Sequence, residues 1–73
     1  MGDFMVNTYR CMIKSEWGNY FIGKDYNGNK YKIEKNKNLH CKVGNDIYFY
    51  AILKRGFLST ILIPVSDEEA GVR

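Results

Sequence analysis

The sequence holds one proline, one histidine, one tryptophan and two cysteines among 73 residues, and each scarcity excludes something. Cys11 and Cys41 are too few for a disulfide scaffold. His40-Cys41 with the distant Cys11 lacks the short paired spacing of a zinc site, so neither a metal nor a cofactor is expected. A single His with scattered acids supplies no Ser/His/Asp or Cys/His set and no paired carboxylates. The glycines do not form a phosphate-cradling loop, so no catalysis and no small-molecule substrate are expected. The longest apolar run, Ile61-Leu62-Ile63-Pro64-Val65, is strand-sized and far short of the ~20 residues of a membrane helix. The start, Met-Gly-Asp-Phe-Met, has neither the basic nor the apolar region of a signal peptide. Together these absences predict a reduced, cytoplasmic protein away from the membrane.

What is present is an ordinary globular mix, 45% hydrophobic and 26% charged, enough for one small domain. Aromatics reach 15%, led by six Tyr and four Phe, and these side chains suit pleated surfaces better than helices. The net charge of +3 is unevenly spread. Residues 10–42 carry Arg10, Lys14, Lys24, Lys30, Lys32, Lys35, Lys37 and Lys42 against only Glu16, Asp25 and Glu34. The remainder is net negative and ends in Asp67-Glu68-Glu69. A basic segment of this kind is either a polyanion-binding face or a solvated lysine-rich surface.

Residues 1–5 and the acidic tail 66–73 lack periodicity and read as frayed or flexible, leaving residues 6–65 as the domain. From Val6 to Lys14, Tyr9, Cys11 and Ile13 alternate with Arg10, Met12 and Lys14, the pattern of a half-buried strand. Ser15 to Asn19 breaks it, with Gly18 available for a positive φ. Strands over Asn19–Tyr26 and Asn29–Lys35 flank Asn27-Gly28, the dipeptide favoured by two-residue type I′ hairpins. That loop length places Ile22 opposite Ile33 and Asp25 opposite Lys30, and turns Phe21 to the outer face. Asn36–Val43 is compatible with a single helical turn or a short strand, closed by a turn at Gly44-Asn45-Asp46.

The last two strands, Ile47–Lys54 and Phe57–Val65, meet at Arg55-Gly56. A two-residue loop there collects Ile47, Phe49, Ala51, Leu53, Leu58, Thr60 and Leu62 on one face. Tyr48, Tyr50, Ile52, Phe57, Ile61 and Ile63 occupy the other. Both faces are apolar, whereas a solvated antiparallel pair has one polar face. Five short strands separated by turn signals predict an all-β chain, a small five-stranded barrel.

The order of these features resembles the OB-fold of S1-type domains and of bacterial translation initiation factor one, with an SH3-like barrel as the alternative. The resemblance covers residues 6–65 and includes Val43-Gly44-Asn45-Asp46-Ile47, similar to the Gly-Asp turn that enters their fourth strand. This chain differs in its acidic C-terminus and in the Asn45 that separates Gly44 from Asp46. The resemblance implies that the surface of strands two and three holds single-stranded DNA or RNA. By position it points to Trp17, Phe21, Tyr26, Lys30, Lys32, Lys35 and Lys37. Those residue types suit the task, because bases stack on aromatic rings while lysines follow phosphates. Trp17 is open to two readings, a stacking residue on the first loop or a plug for the barrel end.

A second functional class rests on the final hairpin. Tyr48, Tyr50, Ile61 and Ile63 would form a partner interface, since large apolar patches and exposed tyrosines mark contact surfaces. The protein would then be an accessory subunit or inhibitor of phage or mobile-element type, acting on a larger nucleic-acid enzyme, or a homodimer. If those residues instead complete a core, the surface disappears.

Overall fold

A computed structural model describes residues 6–56 and 59–71. Five strands account for nearly all of its regular structure: β1 (Val6–Trp17), β2 (Tyr20–Lys24), β3 (Lys30–Glu34), β4 (Asp46–Arg55) and β5 (Thr60–Pro64). They close into a barrel in the order β1-β2-β3-β5-β4, with β4 returning to β1. All neighbours are antiparallel except β3 and β5, which run parallel. The expected all-β five-stranded barrel is therefore present, in a form compatible with an OB-like fold. No helix among the described residues is long and apolar enough to cross a membrane.

The long first strand serves two neighbours. Val6 to Met12 pairs with β4, and Met12 to Trp17 pairs with β2. Between Ile13 and Ser15 the register shifts at Lys14. A bulge of this kind bends and twists a strand, letting β1 wrap from one side of the barrel to the other. The Gly44 turn is tied to that bend: Gly44 N–H donates to the Ile13 carbonyl, and Ile13 N–H donates to the Asn45 carbonyl, both at 2.8 Å. Gly44 has φ +97°, a conformation that favours glycine.

Cys11, Ile13, Phe21, Ile33, Phe49, Ala51 and Leu62 form the core, with Tyr9, Tyr31, Leu39, Cys41, Ile47 and Leu53 packed around it. Tyr9 meets Tyr31 edge-on at 5.8 Å between ring centroids. Cys11 is free and buried, and loss of hydration pushes its thiol up to about 11. It acts as a small hydrophobe rather than a nucleophile. Half-buried Cys41 is raised for the same reason.

The β2–β3 loop corrects the expected register. The chain closes at Asp25 and Asn29, leaving Tyr26, Asn27 and Gly28 as a three-residue loop: Asp25 N–H donates to the Asn29 carbonyl and Gly28 N–H to the Asp25 carbonyl. Only Gly28 has positive φ, at +88°, so the turn is not type I′. It corresponds to a type I turn followed by a left-handed glycine. The cause is Asp25, whose carboxylate accepts from the Asn27 and Asn29 backbone N–H groups at 2.9 Å each and from Asn29 Nδ2 at 3.0 Å. Ile22 then faces Lys32, Lys24 faces Lys30, and Phe21 faces Ile33. A one-residue change of register exchanges the faces of a strand. Phe21 is consequently inside, at 7% exposure, and not on the outer face.

At β4–β5 the closing pair is Arg55–Thr60, so this loop is also longer than two residues. Leu53 pairs with Leu62 and Ile52 with Ile63. The shift is an even number of residues, and the two expected faces survive it. The expected strand residues Phe57 and Leu58 lie outside the described residues, as do residues 1–5 and 72–73. The 36–43 segment is neither a helical turn nor a strand but an irregular connector with turns. Asn36 and Asn38 side chains fix it by donating to the Pro64 carbonyl, at 3.0 and 3.3 Å. In the tail, Ser66 to Gly71 forms a hydrogen-bonded turn. Its Ser66 and Glu69 cap each other: Glu69 N–H donates to Ser66 Oγ, and Ser66 N–H donates to Glu69 Oε1.

Candidate nucleic-acid interface

The outer surface of β1, β2 and β3 can be followed as rows of residues that face one another across the strands. The first row holds Trp17, Tyr20 and Glu34. The second holds Ser15, Ile22 and Lys32, continued on β5 by Ile61. The third holds Met12, Lys24 and Lys30. Successive rows are two residues, or about 6.6 Å, apart.

Trp17 is 63% exposed and therefore does not plug the barrel end. Its position follows from the Lys14 bulge and the Gly18 turn (φ +58°), which carry β1 three residues beyond the expected end and set Trp17 opposite Tyr20. Lys32 reaches across from β3. Its Nζ lies 4.5 Å from the Trp17 ring centroid and 5.5 Å from that of Tyr20. An ammonium over two aromatic faces restrains both rings and keeps a positive charge beside them. Lys24 and Lys30 stand side by side in the third row, both exposed and of like charge, a pairing that an anion would relieve.

A second aromatic and cationic group closes the far end of this surface. Arg10 on β1 faces Tyr48 on β4. The Arg10 guanidinium lies 4.9 Å from the Tyr26 ring centroid. Asp46 ties the group: Tyr26 Oη donates to its Oδ2 at 2.7 Å, and Arg10 Nη2 donates to the same oxygen at 3.1 Å. These two bonds hold the Asp46 carboxyl below the usual carboxylate range, and the Asp46 bond raises the Tyr26 phenol. Tyr26 and Tyr48 are 71% and 74% exposed.

The remaining expected residues lie elsewhere. Lys35 follows β3 at the Trp17 end, with its Nζ 2.7 Å from Glu16 Oε1 and 5.0 Å from the Phe21 ring centroid. Lys37 is exposed on the connector. Phe21, buried in the core, is one of the residues lining a groove of about 470 Å³. Leu39, Cys41, Lys35, His40, Lys42 and Asn45 complete that groove. Tyr50, Ile61 and Ile63 point outward on β4 and β5 and are half-buried. Among the described residues, no group of three or more His, Cys, Asp or Glu is gathered as a metal site.

The structure thus brings Trp17, Lys30 and Lys32 onto one face, sets Tyr26 at its far end, and removes Phe21. Sequence reasoning missed Tyr20, Lys24 and Arg10. The signal for the first two was present: once Asp25 is taken as the start of the turn, Tyr20, Ile22 and Lys24 alternate outward. Comparison with protein-family models, curated proteins and solved structures finds no match.

Proposed function

We propose that the protein is a non-catalytic module that binds single-stranded DNA or RNA on the outer face of β1, β2 and β3. The observation that carries this reading is the exposed Trp17 beside Tyr20 with the Lys32 ammonium lodged against both rings. Such a unit offers a base a flat surface and its phosphate a cation, held in place before the ligand arrives. Lys24 and Lys30 extend the cationic track along the strand direction. The parallel closure of β3 on β5 favours the OB-like reading of the barrel over the SH3-like one. With it comes the use of strands two and three as the ligand surface. The resemblance to S1-type domains and to bacterial translation initiation factor one points the same way.

Because Trp17 is the single tryptophan, its fluorescence reports directly on this surface. Titration with short DNA and RNA oligonucleotides at low salt should quench it, and binding should weaken as salt rises, because phosphate contacts release counterions. Absence of binding at low salt overturns the proposal.

A second reading is favoured by the row Val6, Ile52 and Ile63, three apolar residues that face one another outward across β1, β4 and β5. Tyr50 and Ile61 flank it, and all five are half-buried. This face would dock a protein partner or a second copy, as an accessory subunit of a nucleic-acid enzyme does. Ile52→Asp with Ile63→Asp should leave a folded monomer and abolish any self-association seen by light scattering. Unfolding of that variant would assign the row to the core and end this reading.

A further inference from the structure

We infer that the face binds its strand at two separate stacking stations, and that the second is built from Tyr26, Arg10 and Tyr48, which lie outside the Trp17 surface. This rests on the nucleic-acid reading above and specifies how that site is used. The two groups share a plan although they share no residue. In one, Lys32 is set against Trp17 and Tyr20; in the other, Arg10 is set against Tyr26 and faces Tyr48.

Both are held in place before any ligand arrives. Asp46 accepts from Tyr26 and from Arg10 through one oxygen, fixing the ring and the guanidinium that lies over it. Tyr48 and Tyr26 nevertheless expose most of their surface. An ordinary solvated face has no need for two exposed tyrosines flanking a restrained arginine. Arginine and tyrosine are also the side chains on which unpaired bases stack.

Placement gives the two groups one ligand. β1 runs continuously from Arg10 to Trp17, about 20 Å of strand. Between them the outer face carries Met12, Ser15, Ile22, Lys24, Lys30 and Lys32. Lysines therefore bridge the stations, with Glu34 in the Trp17 row and Asp46 opposite Met12, next to the second station. The bases of a duplex are paired and stacked inside it, so only an unpaired strand can lay bases on both stations. The interface consequently involves β4 through Tyr48, a residue that the sequence places with the partner surface.

The test is a Trp17 fluorescence titration with oligothymidylates from about two to about eight residues long, at a salt concentration high enough to damp the lysine contribution. Affinity should climb with length until both stations are spanned and then level off. Tyr48→Ala should weaken the long oligonucleotides by about tenfold and leave the shortest unchanged, and Tyr48→Phe should restore the wild-type values. Tyr48 is so exposed that its removal leaves the fold intact. If Tyr48→Ala and the parent bind every length equally while Trp17 is still quenched, the second station is wrong and the Trp17 surface stands. If no length quenches the parent protein even when the titration is repeated at low salt, the nucleic-acid reading itself fails and this inference falls with it.

Discussion

Phe21 and Ile33 face each other across β2 and β3 inside the barrel, both buried. The pair depends on the three-residue loop closed by Asp25, because a two-residue loop would set Ile33 against Ile22 and turn Phe21 into water. Phe21→Ala should therefore destabilise the fold by about 3–5 kcal/mol, the usual cost of emptying a buried Phe site. Trp17→Ala should change stability by no more than about 0.5 kcal/mol, as for most surface substitutions. Urea unfolding of the two variants checks this. A nearly neutral Phe21→Ala would return Phe21 to the surface and with it the other register.

Gly23 lies on the inner side of β2, and a Cβ there would stand 2.8 Å from Ile33 Cδ1 and 3.1 Å from Cys11 Cβ. The Ile33 terminal methyl can move freely, whereas Cys11 Cβ, on a strand paired directly with β2, gives way only if the backbone shifts by a few tenths of an ångström. Gly23→Ala should cost about 1–3 kcal/mol, the range for overpacking a filled core. Gly23→Ala combined with Ile33→Val should recover only part of it, since the Cys11 contact remains. Full recovery would mean that the Ile33 methyl alone sets the constraint.

The two hairpins show which parts of the fold could be read from residues alone. In both, the sequence carries the strands and the turn, and in both the shortest loop is too short. At β4–β5 the difference is even, so Phe49, Ala51 and Leu62 remain inside as alternation predicts. At β2–β3 the difference is a single residue, and every side chain of β2 changes face. Asn-Gly pointed to one turn, while Asp25 three residues before Gly28 specified another, and side-chain hydrogen bonding decided between them. Trp17 was legible as a candidate because it follows the alternating segment, but its exposure depends on the bulge at Lys14, which has no composition signal. Arg10 and Tyr48 were each legible as outward residues of their strands. Their meeting follows from the β1–β4 pairing, a contact between segments far apart in the chain.

Asp25 and Asp46 give the fold an acid-sensitive term. Both carboxyls are held below their ordinary value of 3.8: Asp25 first by the Asn29 side-chain bond, and Asp46 first by the Tyr26 hydroxyl and then by Arg10. A carboxyl whose folded value is depressed contributes stability that is present above its unfolded value and lost as pH falls through the folded one. The urea midpoint should therefore be level from neutral pH down to the ordinary carboxylate range and decline below it. Asp25→Asn keeps an acceptor for the loop N–H groups but cannot titrate, and should flatten that decline. An equal decline in the Asp25→Asn, Asp46→Asn double variant would place the acid sensitivity elsewhere.

Lys32 and Lys35 separate the outer face from the groove lined by Phe21. The Lys32 ammonium has aromatic rings beside it and remains free to meet a phosphate. Lys35 is held 2.7 Å from Glu16, whose charge offsets its own, and it leans over Phe21 at the groove. If single-stranded nucleic acid runs along β1 to β3, Lys32→Gln should lower the slope of log affinity against log salt by ~0.7, the value for one phosphate of a single strand. It should also shift the Trp17 emission of the free protein, because the cation leaves the indole face. Lys35→Gln should do neither. A loss of slope from Lys35→Gln equal to that from Lys32→Gln would instead route the strand through the groove lined by His40 and Lys42.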